Sequence, residues 1–308
     1  MRPFRFAVHT GGEVPPDDWP AFARRVERLG YTALYLTDHM TRQLAPMPAL
    51  AAAAAATGRL RLGTYVLAND FRHPLLVARE AASLDRLSGG RFELGLGAGW
   101  MRSDYRQLGL PYQAPGARIS RLFESVGIIV RLLSGERVTH RGTHYRLEGA
   151  HVGPLPIQQP HPPLILGGGG PRMLRFAARH AQIVSLAPRM SSAGRPIVRG
   201  VTEASAERAA LLVRDEAGAR AGALDIDVFV ADAGVVGGLE PLRTSVVARV
   251  KSAGPAVIGG SPHLLYGTLP QLRDAMLRRR ERAGINAYGI PMRAMEALAP
   301  LVEELSGR

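Results

Sequence analysis

Three features of the 308-residue chain predict an α/β fold built as a (β/α)8 barrel with insertion loops. Eight short β-rich runs recur, they alternate with helical patterns, and polar residues gather where the first four runs end. The length suits this architecture, which typically needs about 250 residues. With 46% hydrophobic residues the chain can bury a large core, and residues 1–308 are read as a single barrel domain.

In chain order the runs are FRFAVH (4–9), ALYLT (33–37), LRLGTYVL (60–67), RFELGLG (91–97), LILG (164–167), QIVSLA (182–187), IDVFVA (226–231) and AYGIP (287–291). Punctuation places the helices between them. The helix over 18–29 opens after Pro16, with Asp17 and Asp18 available as caps, and closes at Gly30. A second, over 74–88, starts at Pro74 and stops before Gly89 and Gly90. Apolar residues at helical spacing (Ile119, Leu122, Phe123, Val126, Ile129, Val130, Leu133) mark 117–134, which ends at Gly135. Further helices are expected over 171–180, 203–221, 269–283 and 292–305. Three insertions interrupt the alternation: an irregular stretch at 98–116, a short hairpin with a proline-rich approach at 136–163, and a loop read as mobile at 188–202. Long loops over the strand ends of a barrel are where active sites are built.

Composition narrows the chemistry. Without cysteine there is no disulfide, thiolate nucleophile or cysteine metal site. The stretch MRPFRFAVHTGG lacks the apolar core of a secretory signal, and ALAAAAAATG is too short for a membrane span, so a soluble cytoplasmic protein is expected. The net charge of +13 comes almost wholly from arginine, Lys251 being the one lysine. The arginines are scattered, and the dense run Arg278 to Arg282 has no aromatic residue interleaved. Solvated helices explain it better than nucleic acid, and an anionic small molecule is compatible with it.

Catalytic groups in a parallel barrel come from the C-terminal ends of strands. Here those ends carry His9, then Thr37, Asp38 and His39, then ANDFRHP, then GLGAGWMRSDY. Asp38 beside His39 has two readings. An imidazole moves protons near neutral pH with a neighbouring carboxylate or backbone group fixing its tautomer; alternatively, Asp38 caps a turn and His39 is satisfied by backbone. GLGAGW lacks the dinucleotide-binding spacing, and its glycines are expected to let a flat ring approach the backbone. In GGGGPRM, Pro171 suits a first helical turn, so the amides of Gly168, Gly169, Gly170 and Arg172 form either a phosphate nest or simply a tight strand–helix crossing. His140 and His144 share no helical face, which argues against a zinc site. The nucleophile elbow of serine hydrolases is absent.

Taken together, LGYTALYLTDHM, LRLGTYVLANDFRHPLLVAREAASLDRLSGGRFELGLGAGW, PPLILGGGGPRMLRFAARHAQIVSL and SPHLLYGTLPQLRDAMLRRRERAGINAYGIP resemble the luciferase-like flavin and deazaflavin oxidoreductases across nearly the whole chain. The chain is most similar to the branch that uses coenzyme F420, with FMN as the alternative cofactor. The resemblance implies a homodimer and an enzyme transferring a hydride between reduced deazaflavin and a small organic substrate. Its rivals are a reduced-flavin monooxygenase and a non-catalytic flavin-binding barrel. It places Asp38 and His39 at the ring system, with His39 as acid or base, and a non-proline cis peptide near Tyr65 and Val66 with Ala68 and Asn69 next along the wall. It assigns phosphate to the Gly168–Arg172 loop, cofactor contact to Ser103, and the substrate side to His9 and Trp100. Two departures count. Sugar-phosphate dehydrogenases of the family carry an acid where this chain has Trp100, together with lysines on the substrate phosphate, and Ser103 is smaller than the expected asparagine.

Overall fold

A computed structural model describes residues 1–11, 14, 16–188, 200–237 and 260–308. Most of the loop expected over 188–202 therefore lies outside the described residues. The strands are β1 (Arg5–Thr10), β2 (Ala33–Leu36), β3 (Arg61–Thr64), β4 (Leu67–Ala68), β5 (Phe92–Gly97), β6 (Val138–Arg141), β7 (Arg146–Ala150), β8 (Leu164–Gly168), β9 (Ile183–Leu186), β10 (Asp225–Phe229), β11 (Asp232–Val235), β12 (Leu264–Gly267) and β13 (Ile285–Pro291). Nine of them form one sheet in the order β3-β2-β1-β13-β10-β9-β8-β5-β4, and β3 also pairs with β5 and closes it. Because β3 and β4 both pair with β5, they are one stave interrupted at the Tyr65–Val66 peptide, which is cis. Each of the eight β-rich runs supplies a stave, and the fold is a (β/α)8 barrel. A strand covered on both faces reads as a continuous apolar run, and all residues of β5 and β13 are buried.

The helices are α1 (Trp19–Arg28), α2 (Pro46–Ala56), α3 (Pro74–Leu87), α4 (Arg102–Gln107), α5 (Pro115–Leu133), α6 (Pro171–His180), α7 (Glu203–Ala217), α8 (Leu269–Ala283) and α9 (Met295–Leu305). Two were not expected. Helix α2, PMPALAAAAAA, contains no polar residue, so its pattern has no amphipathic period to detect. Helix α4 is a short polar helix inside the stretch expected to be irregular. The expected hairpin is present as antiparallel β6 and β7. Among the described residues, no helix is long and apolar enough to cross a membrane.

The chain divides into two compact units, one of residues Met1–Thr10, Arg25–Leu34 and Leu166–Arg308, the other of Gly11–Arg24 and Tyr35–Ile165. In the second unit, β5 approaches the interrupted stave too closely for side chains. Thr64 Oγ1 donates to Gly95 O and accepts from Gly95 N, both at 2.8 Å, and a Cβ on Gly95 would overlap the Thr64 carbonyl. The space above Gly97 is taken by the Val66 side chain. These two glycines thus serve strand packing, where the approach of a flat ring had been expected. The hairpin is anchored by Glu124 of α5, whose carboxylate accepts from His140 Nε2 at 3.0 Å, from His144 N and from Tyr145 N.

In the first unit, Asp225 accepts from Arg2, Arg5 and Asn286. Two buried histidines bond to successive carbonyls of the chain leaving β10: His263 Nδ1 donates to Phe229 O and His9 Nε2 to Val230 O, each at 2.9 Å. Burial pushes both imidazoles down to about pKa 4. Unfolded histidine titrates near 6.5, so between about pH 6.5 and 4 the unfolded chain binds protons that the folded chain refuses. Their stabilisation is complete above about 6.5 and is lost progressively as pH falls toward 4, by about 3 kcal/mol per histidine over the whole window. The melting temperature is expected to fall from pH 7.5 to 5, and His263→Gln to flatten that slope; an unchanged slope in the variant would refute this account.

Candidate active site

Asp38 and His39 follow the end of β2, within the second unit. The chain leaving β2 is closed on itself by Gln43, whose amide donates to Thr37 O at 2.8 Å while its carbonyl accepts from Thr37 Oγ1 at 2.9 Å. The following two residues take opposite directions. Asp38, only 3% exposed, turns inward: Oδ1 and Oδ2 take the two terminal nitrogens of Arg72, at 3.0 and 2.5 Å, and Oδ2 also takes the Ala68 amide at 3.0 Å. This bidentate arrangement with an added backbone donor is the geometry that a buried carboxylate requires.

His39 turns toward α4. Its Nδ1 lies 2.8 Å from Asp104 Oδ2, and Asp104 is itself buried and also accepts from Met40 N at 3.3 Å. A buried carboxylate on Nδ1 fixes the ring and directs Nε2 outward. The His39 side chain is 25% exposed, and among the described residues Nε2 has no hydrogen-bond partner. The Trp100 ring meets the imidazole edge-on, with centroids 5.3 Å apart and planes at 79°. The expected pairing of His39 with an adjacent carboxylate is therefore corrected. Asp38 makes no bond to His39, because its oxygens are committed to Arg72 and Ala68, and the carboxylate that orients His39 is Asp104.

The rest of the wall follows. Tyr65 is buried and stacked on Tyr35 at 5.0 Å, and the cis peptide joins it to Val66 as the resemblance implied. The Ala68 amide is taken by Asp38, and buried Asn69 donates from Nδ2 to Tyr145 Oη at 3.0 Å. Asp70 accepts from Tyr105 Oη at 3.0 Å and pairs with Arg121 at 2.9 Å. Burial and Asp70 together push the Tyr105 hydroxyl's pKa up. Ser103 is half-buried on α4, next to Asp104. Sequence reasoning missed Asp104, Arg72 and Tyr112; the one signal for Asp104 was an acid in the polar stretch GWMRSDY after the fourth stave.

The other predicted residues belong to the first unit. His9 is buried, stacked on Phe229 at 4.8 Å and bonded to Val230. In the glycine loop the tight strand–helix crossing accounts for two of the glycines. A Cβ on Gly167 would overlap the Ser185 carbonyl, and one on Gly168 would stand 3.1 Å from Met173 Cγ, so those two serve close packing. Gly169 is half-buried; Gly170 caps α6 with no side-chain bond of its own, and nothing stands within 4 Å of where its Cβ would be. Pro171 occupies the first helical turn and Arg172 is exposed beside it.

The model of the luciferase-like monooxygenase family matches residues 1–233. The F420-dependent glucose-6-phosphate dehydrogenase of Microbacterium testaceum is 34% identical over 189 residues, 58% of this chain and 55% of that protein. A 4-hydroxyprotoasukamycin monooxygenase of Streptomyces nodosus subsp. asukaensis is 38% identical over 127 residues, 40% of this chain and 33% of that protein. The chain spans about half the length of the curated relatives it matches. Among solved structures, an F420-dependent secondary alcohol dehydrogenase in complex with an F420–acetone adduct shares the fold, with a TM-score of 0.80 at 16% identity over 99% of both chains. With the family model matched over most of its length, the chain belongs to the luciferase-like monooxygenase family of enzymes.

Proposed function

We propose that the chain is a deazaflavin-dependent oxidoreductase that interconverts a small carbonyl compound and its alcohol, with His39 handling the proton. The observation that carries this reading is the His39–Asp104 pair: Nδ1 is held by a buried carboxylate while Nε2 is presented at a half-open edge. Coenzyme F420, when bound, supplies or accepts the hydride. Everything else falls to the protein. His39 Nε2 gives a proton to the nascent alkoxide in one direction and takes it from the alcohol in the other. Asp104 holds the imidazole through both states, Trp100 walls the site against water, and the Asp38–Arg72 pair keeps the loop in place. The cis peptide at Tyr65–Val66, the Ala68–Asn69 segment and Ser103 would hold the ring of such a cofactor.

Within the second unit, His39 fits such a cofactor by keeping one ring nitrogen with no hydrogen-bond partner among the described residues. Within the first unit, the open space at Gly170, at the start of α6, would suit an anion. The 38% identical monooxygenase relative favours a second reading, in which the cofactor is reduced FMN and the same walls protect oxygen chemistry from water.

Titrating the protein with coenzyme F420 and with FMN, following cofactor fluorescence, separates the two readings. Saturable F420 quenching with weaker FMN binding is expected; tight FMN binding with no F420 response sinks the deazaflavin reading. His39→Gln is expected to slow reoxidation of reduced F420 by small ketones about 100- to 10,000-fold with cofactor affinity retained. Asp104→Asn, which keeps the bond but loses the charge, is expected to have a smaller effect in the same direction. Full turnover in His39→Gln would leave a barrel that binds the cofactor without using this residue.

A further inference from the structure

Beyond β5 two successive main-chain carbonyls are each held by a side chain. Arg118 Nε donates to Gly99 O at 3.2 Å and Tyr112 Oη to Trp100 O at 2.9 Å, while the Tyr105 hydroxyl, whose proton goes to Asp70, lies 3.3 Å from Ala98 O. The two tyrosines pack edge-to-face at 5.0 Å. The guanidinium of Arg118 lies 4.2 Å from the centre of the Tyr112 ring and 5.9 Å from that of Tyr105, and its Nη1 donates to Gln113 O. One buried side chain from the first turn of α5 therefore ties Gly99 at one end of the 99–113 segment to Gln113 at the other, and stacks on the tyrosine that holds Trp100.

That segment carries both groups that touch His39: Trp100 against the ring edge and Asp104 on Nδ1. Arg118 reaches neither of them directly. We infer that Arg118 is a positioning residue for His39, acting through the 99–113 segment to hold Trp100 and Asp104 on either side of the imidazole. The inference rests on His39 being the proton-transfer group of the site. A planar fork that serves two carbonyls and a ring face at once is a task for guanidinium and not for an ammonium group.

Trp100 supplies the test, since the chain has two tryptophans and the other, Trp19, is buried on Ala49 O. In a Trp19→Phe background, indole emission reports on Trp100 alone, and an imidazolium in contact with indole quenches it. With Arg118 in place, emission is expected to rise as the pH is raised, because a neutral imidazole against the indole quenches it less than an imidazolium does. His39→Gln should abolish that rise, which assigns the signal. Arg118→Met and Arg118→Lys should both lose most of its amplitude while far-UV circular dichroism and the melting temperature stay near those of the background protein. Should Arg118→Met fail to fold, Tyr112→Phe, which removes only the hydroxyl on Trp100 O, should still reduce the amplitude. A folded Arg118→Met protein with the full rise, or Tyr112→Phe with it, overturns the inference, as does the absence of any rise with Arg118 in place. Because the readout needs neither cofactor nor substrate, loss of the rise in Arg118→Met together with undiminished turnover in His39→Gln would refute the catalytic reading and leave the positioning role standing.

Discussion

A carboxylate placed inside a protein costs several kcal/mol unless donors surround it. Asp38 sits at the end of β2 in that condition, and what meets its charge comes from two other places: the Ala68 amide at the end of β4 and the guanidinium of Arg72 just beyond. Meeting it brings the tip of one stave to the tip of the next. The next residue, His39, finds its partner elsewhere, on Asp104 of α4. Asn69, next to Ala68, is carried with it toward Tyr145. The Asp38–Arg72 ion pair thus fixes the stretch of chain that carries His39 without touching the imidazole itself.

The same use of arginine runs through the molecule and gives the net charge of +13 a structural meaning. Arg61 pairs with buried Glu93, Arg121 with buried Asp70, and Arg91 bonds the carbonyls of Ala54, Leu60 and Ser88 at once. A planar group with five donors can close several loop carbonyls that no strand or helix would satisfy. Three of the four arginines in the dense run on α8 also have partners within the chain: Arg279 is buried on Glu203 and Gly260 O, Arg280 lies 4.0 Å over the Phe4 ring, and Arg282 pairs with Glu207. A charge count read as an outward patch overstates what is left for a partner.

The eight staves were legible because parallel strands buried on both faces write themselves as apolar runs, and most helices because proline and glycine mark their ends. Helix α2 was not, since an all-apolar helix has no period, and the parallel β11–β12 pair has too little sequence in each strand to announce itself. At the candidate site, His39 stands out in the sequence and its partner does not. Asp38 is adjacent in sequence and Asp104 is 65 residues away, yet the fold chooses the distant one. A turn of one residue reverses the direction of a side chain, so adjacency at a strand end says little about which groups meet. GLGAGW was misread for a related reason: whether a glycine makes room for a ligand or for the neighbouring strand depends on the stave beside it.

The relocation of the acid matters for the chemistry proposed. Sugar-phosphate enzymes of the family are expected to carry an acid at the position of Trp100, where it would stand beside the histidine and offer a second proton-handling group. Here an indole fills that place, and the nearby acid, Asp104, lies behind the imidazole with its oxygens committed to His39 and Met40 N. One titratable nitrogen, His39 Nε2, is then presented at this edge. Reduction of a carbonyl consumes one hydride and one proton, and oxidation of an alcohol releases the same pair, so a single group suffices if it can exchange its proton with solvent between turnovers. On the proposed reading, the 25% exposure of the His39 side chain gives that group its route to solvent.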